Sequence, residues 1–215
     1  MANSNQMGQK VSIEAGIRPE HRAQAARGYW QAFARKLRYP LGPTSKAVAF
    51  FERVIDPEHA LSAVSDTGDF LGAAGFKTSS GSFIGGHFND LSRVYGSIGA
   101  TWRGLLIHTL ERNCEEGTLL MDGIFVEPEA RGLGVGTKLL HALMDRAESA
   151  GLQRLRLDVI DTNPRARALY EREGFVPGRE KSLVFWRRFL GSRRRQKWSK
   201  RSGQYSSRTG LHCGA

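Results

Sequence analysis

The chain has 215 residues, 40% hydrophobic and 25% charged, proportions that suit a globular domain with its own core. No apolar run approaches the ~18 residues of a membrane helix, and the polar start MANSNQMGQKVS lacks a secretory core, so a cytoplasmic protein with no membrane partner is expected. Cys114 and Cys213 form no CxxC pair, which argues against a disulfide framework or a cysteine metal site. The net charge of +11 would suggest nucleic acid, but residues 187–215 hold nine Lys or Arg and no acid. The remaining 23 bases and 21 acids leave the body near neutral.

Residues 1–10 are polar and are expected to fray. Val11 to Ile17 alternates weakly, as a strand. Residues 20–38 place Ala23, Ala26, Trp30, Phe33, Ala34 and Leu37 on one helical face. Tyr39-Pro40-Leu41-Gly42-Pro43 breaks that helix, and Thr44 or Ser45 caps the next, which carries Val48, Phe51 and Val54. His59–Ser65 and Asp69–Lys77 read as a strand pair around Thr67-Gly68-Asp69. Residues 78–99 are rich in Gly and Ser and precede an apolar helix from about 98 to 112.

From residue 118 the pattern is strand, helix, strand, helix, strand. Leu119–Val126 is apolar, and Glu127–Ala130 turns. A helix then buries Val135, Leu139, Leu140, Leu143, Met144 and Ala147, and Gly151 ends it. Leu155–Ile160 is the next strand, Asn163-Pro164 opens a helix to about Arg172, and Phe175-Val176 begins another strand. The class is α/β with a partly parallel sheet.

The loop Arg131-Gly132-Leu133-Gly134-Val135-Gly136-Thr137 joins a strand to an amphipathic helix. Its glycines allow tight turning and close approach of a ligand. The first helix amides lack intrahelical partners and sit at the positive dipole end, a site for an anion such as a pyrophosphate. Arg131 can add a charged contact. Walker and dinucleotide loops fit worse, because Gly136 is followed by Thr137-Lys138 and the glycines are spaced GxGxG. A tight turn without a ligand remains the other reading of the glycines alone.

This segment resembles motif A of the GNAT superfamily of acyl-CoA-dependent N-acyltransferases, whose pattern is (Q/R)-x-x-G-x-(G/A). Asn163-Pro164-Arg165-Ala166-Arg167-Ala168-Leu169-Tyr170-Glu171-Arg172-Glu173-Gly174-Phe175 resembles the family's motif B. The two motifs cover about residues 119–176. The resemblance implies a mixed, mostly antiparallel sheet with a splayed parallel strand pair at its centre, flanked by helices. The domain would run over 11–190, with a helical insert at about 79–117 and a basic, disordered tail at 191–215.

It also implies acetyl-CoA as co-substrate and no metal. The pantetheine arm would pair with the backbone of Ile124, Phe125 and Val126, and the pyrophosphate would lie on Arg131 to Thr137. Asn163 would contact the arm or simply cap its helix before Pro164. Tyr170 would serve the departing thiolate as general acid; its other reading is core packing between Leu169 and Phe175. A phenol of pKa about 10 can hydrogen-bond or protonate a thiolate of pKa about 8.5.

Neutralising a lysine-like amine at pH 7 costs about 4.6 kcal/mol. Asp122 is the candidate base, through a relayed proton; alternatively it bonds a neighbouring amide. Glu127 is expected to face solvent, Asp90 and His108 are weaker candidates, and Cys114 has no mark of a nucleophile. The expected reaction is direct attack in a ternary complex, without an acyl-enzyme. The acceptor would be a primary amine of a small molecule or protein, at a pocket near residues 18–57, 79–117 and 176–190. Tyr29, Trp30, Phe33, Phe83, Phe88 and Tyr95 could line it or be core. Homodimers are frequent in the family. The competing function is a weakly catalytic acyl-CoA-binding module whose tail binds nucleic acid or an acidic partner by counterion release. After Gly191 the tail lacks strand alternation, so the family's last strand is expected to be missing, degenerate or replaced.

Overall fold

A computed structural model describes residues 10–110, 114–160, 164–182 and 194–201. In chain order the elements are β1 (Val11–Ala15), α1 (Arg22–Leu41), α2 (Thr44–Val54), β2 (Ala60–Ser65), β3 (Phe70–Lys77), α3 (Phe88–Leu110), β4 (Thr118–Val126), α4 (Val135–Ser149), β5 (Arg154–Ile160), α5 (Pro164–Arg172), β6 (Val176–Ser182) and β7 (Arg194–Arg201). The strands form one sheet in the order β1-β2-β3-β4-β5-β7-β6. Only β4 and β5 run parallel; the other neighbours are antiparallel. The expected fold class is therefore present.

Alternation in the strands sends side chains to two cores. On one face Leu119, Met121, Leu155, Leu157 and Trp198 pack with Leu139, Leu140 and Leu143 of α4 and with Tyr170 of α5. On the other, Phe70, Ala73 and Phe125 pack with Ala25, Ala26 and Trp30 of α1, Phe50 and Phe51 of α2, and Leu91 and Ala100 of α3.

Several boundaries differ from the sequence reading. α1 continues through Pro40 and ends at Gly42, whose amide donates to the Arg38 carbonyl. Proline removes only one amide, and a last-turn position limits the damage. Pro43, not Thr44 or Ser45, is the N-cap of α2; the Thr44 hydroxyl instead accepts from the Trp30 indole at 3.2 Å. α3 begins at Phe88, ten residues early, and bends at Gly96, where φ is +72°. The glycine-rich start hid the first half of this helix.

The largest correction concerns the tail. Residues 194–201 are a strand, paired with β5 from Arg154↔Arg201 to Ile160↔Arg195 and with β6 on its other side. Trp198 stands opposite Leu157 and is 1% exposed. One buried tryptophan among basic neighbours carries little apolar periodicity, so charge masked the strand. A disordered tail and a missing last strand are ruled out for 194–201, and residues 202–215 lie outside the described part.

Candidate active site

The site begins at a fault in β4. Against β3 the register runs Gly75↔Gly123 and then Phe76↔Met121, so Asp122 is the extra residue of a β-bulge. The fault flips the alternation. Met121 and Ile124 both serve the α4-side core, while Gly123 faces α1, where a Cβ would meet the Phe33 ring.

β4 and β5 also part at this point. Among the described residues they pair only at Thr118↔Arg154, Leu119↔Leu155 and Leu120↔Arg156. Beyond Leu120, β5 stays with β7 as far as Ile160, and β4 stays with β3 as far as Val126. Beyond Leu120 the described residues show no further β4–β5 pairing, a stretch that includes the backbone of Ile124, Phe125 and Val126. Their side chains are packed, with Phe125 in the α1 core and Ile124 and Val126 against the α4 core. The backbone is thus the part left to bind.

At the end of β4 a 3-10 turn at Pro128–Ala130 seats Ala130 in the core. Arg131 is exposed, and its Nε donates to the Val126 carbonyl at 3.3 Å. Gly132 and Gly134 have φ of +87° and +74°, and a Cβ on either would meet nothing within 4 Å. Only glycine takes these angles without strain, and the space above them is empty of protein. Gly134 caps α4. Val135 is buried, and Leu133 packs partly against the core, so these two residues offer backbone. The first-turn amides, Thr137 among them, have no partner within the helix.

Tyr170 is 7% exposed, edge-on to Phe175 at 5.9 Å. Burial alone pushes its phenol up to about 12, so it stays protonated at neutral pH and keeps a proton to donate. It shares a core with Met121 and Leu157, the residues that bound the start of the strand divergence. Asp122 is half-exposed at the bulge, close enough to Cys114 to raise that thiol, although burial is the larger cause. Asn163 lies outside the described residues.

Other candidates are placed differently. Glu127 does not simply face solvent. It is half-buried against α1, with Gln24 hydrogen-bonded to it, and burial followed by the Glu129 charge raises its carboxyl. Asp90 accepts from the His87 amide at 3.1 Å and from Arg53 at 3.1 Å, which ties down the start of α3. His108 is exposed on α3. Among the aromatics, Trp30 and Phe83 are core. Tyr29 sits among Phe33, Phe51, Phe83 and Phe125, with ring centroids 4.6 to 6.3 Å away. Tyr95 donates to the Leu41 carbonyl and fastens α3 to α1. Phe88 is exposed. The bulge and the α1 contacts escaped the sequence reading; a glycine inside an apolar strand, Gly123, was the available sign.

A profile of the acetyltransferase (GNAT) family matches residues 27–175. The chain belongs to that family. The GNAT match runs from within α1 through α5 and so includes both the bulge and the loop before α4. Thialysine N-epsilon-acetyltransferase of Bos taurus is 35% identical over 75 residues, 35% of this chain and 37% of that protein. Mycothiol acetyltransferase of Beutenbergia cavernae is 44% identical over 52 residues, 24% of this chain and 18% of that protein. The matches thus span well under half of these relatives. Among solved structures, an N-acetyltransferase from Staphylococcus aureus Mu50 superposes with a TM-score of 0.59 at 16% identity, covering 88% of this chain and all of that one. A spermidine N-acetyltransferase chimera from Vibrio cholerae gives 0.60 at 13% identity, covering 92% and 99%. These likenesses are of GNAT fold. Among the described residues no cluster of His, Cys, Asp or Glu could hold a metal ion, and no helix is long and apolar enough to cross a membrane.

Proposed function

We propose that this protein is a cytoplasmic N-acetyltransferase that moves the acetyl group of acetyl-CoA to a primary amine of a small molecule or protein by direct attack in a ternary complex. The observation that carries this is the continuity of three features: the bulge at Asp122, the parting of β4 from β5 after Leu120, and the glycine cradle at the start of α4. The residues present fit acetyl-CoA. Backbone of Ile124, Phe125 and Val126 suits an amide-bearing arm. The amides from Leu133 to Thr137, with Arg131, suit a pyrophosphate. Gly132 and Gly134 leave the room that any Cβ would take. The relatives named above carry the small molecules thialysine and mycothiol in their names, which supports a small-molecule acceptor.

The bound thioester supplies an activated acyl group and a thiolate leaving group. Tyr170, held neutral by burial, donates a hydrogen bond or proton to the departing sulfur. Asp122, turned out of the ladder by the bulge, takes the proton of the incoming amine through a relay. A primary amine must shed about 4.6 kcal/mol of protonation free energy at pH 7, and a carboxylate beside the reacting centre lowers that barrier. α1 walls the amine side by laying Phe33 on Gly123.

Titration calorimetry of the purified protein with acetyl-CoA and CoA tests this reading. Micromolar binding, lost in Gly134→Glu, is expected. No binding by a folded sample refutes the transferase.

A further inference from the structure

The helical insert carries a surface that the fold leaves unused. Beyond the Gly96 bend, α3 places Ile98, Trp102 and Leu105 at i, i+4 and i+7, one face of two turns. They are 89%, 39% and 69% exposed. Tyr39, near the end of α1, is 54% exposed, and its ring meets Trp102 edge-on at 6.2 Å. Single exposed apolar residues are ordinary; a contiguous ridge of four is not.

The surroundings are basic. Residues 31–49 and 91–110 contain six Lys or Arg and no Asp or Glu. Arg35, Arg38, Lys46 and Arg93 are exposed. The Arg103 guanidinium lies 4.2 Å from the Trp102 ring centroid and 4.3 Å from that of Tyr95. In the sequence these stretches are bordered by Glu52, exposed on α2, by Asp90, which is paired with Arg53 at 3.1 Å, and by Glu111, which lies outside the described residues.

We propose that this ridge docks the protein on an anionic lipid surface. The most exposed members of the face are the aliphatic Ile98 and Leu105. A bilayer yields to protruding aliphatic tips, whereas a protein partner needs a matching groove and single-stranded nucleic acid needs aromatic platforms. Trp102 and Tyr39 suit the headgroup level. Arg35, Arg38, Lys46, Arg93 and Arg103 complement lipid phosphates and carboxylates, each by a short-range, salt-sensitive attraction. Two helical turns span only about 10 Å, so the attachment is shallow and reversible.

Co-sedimentation of the full chain with vesicles tests the proposal. Binding is expected to vesicles of phosphatidylcholine with phosphatidylserine, not to phosphatidylcholine alone, and is expected to fall at high salt. Ile98→Ser/Leu105→Ser should weaken it about tenfold or more while leaving the basic stretch at 187–215 intact. The wild type should show a blue shift of tryptophan emission on vesicles that Trp102→Phe abolishes. Ile98→Ser alone, at an 89% exposed position, serves if the double variant does not fold. Equal binding by these variants overturns the proposal, because it would place the attraction elsewhere on the chain. Equal binding to neutral vesicles, or none to either kind, also overturns it. So does a solution dimer that the substitutions dissolve, since a second copy would then cover the ridge.

Discussion

The ring of Phe33 occupies the place where a side chain at position 123 would stand: a Cβ on Gly123 would lie 2.1 Å from its Cζ. Phe33 belongs to α1 and Gly123 to the strand residue just past the bulge, so the helix sits directly on the fault in β4. Gly123→Ala should force the two apart. A loss of about 1–3 kcal/mol is expected, as for other overpacked cores, read by denaturant unfolding. Phe33→Ala in the same chain should restore part of it, because the two effects share one contact.

Tyr170→Phe should leave acetyl-CoA affinity near the wild-type value and lower kcat by about 10²-fold or more, the usual scale of a lost general acid. Calorimetry and steady-state kinetics on the same preparation separate the two. Full turnover would remove Tyr170 from the chemistry.

The same residue sets an alkaline limit on stability. Its folded pKa, about 12, lies above the unfolded value near 10. The favourable term is fully present below about pH 10 and disappears as pH rises towards 12, because the folded protein then holds a proton the unfolded chain has released. The loss is about 3 kcal/mol in all. Tyr95, half-buried and also raised to about 12, contributes to the same decline. Thermal unfolding from pH 9 to 11 should flatten in Tyr170→Phe and flatten further when Tyr95→Phe is added.

Asp122→Asn keeps the size and the bulge position but cannot take a proton. A drop of about 10²–10⁴-fold in kcat/KM with unchanged acetyl-CoA binding is expected. If Asp122 only supports the bulge, melting temperature will move and kcat/KM will follow it.

Trp198→Ala should cost about 3–5 kcal/mol, since this side chain is 1% exposed at the centre of β7. Removing residues 191–215 should yield an insoluble chain. A soluble, acetyl-CoA-binding truncation would show that β7 is dispensable.

The legible parts of the sequence were those with strong periodicity or a ligand-shaped loop. Leu139, Leu140 and Leu143 announced α4, and Gly132 with Gly134 announced its anion-binding start. Three things stayed hidden for physical reasons. A bulge changes no residue type, so Asp122 looked like an ordinary strand position. α3 is broken by Gly96 and preceded by Gly and Ser, so its first half read as loop. β7 is held by backbone pairing on both edges and one tryptophan, and such a strand needs no alternating apolar pattern. Glu127 was misread because its cover comes from α1, a hundred residues away in the chain.

The position of β7 has a consequence for how the protein is made. The last of the described strands to be made lies inside the sheet, between β5 and β6. Until residue 201 has left the ribosome, β5 has no partner beyond Arg156 and the pocket for Trp198 stands open. A stalled or prematurely cleaved chain therefore displays an unpaired edge beside exposed Leu157, a template for aggregation. For this sheet, commitment to a single native arrangement is withheld until β7 has been made.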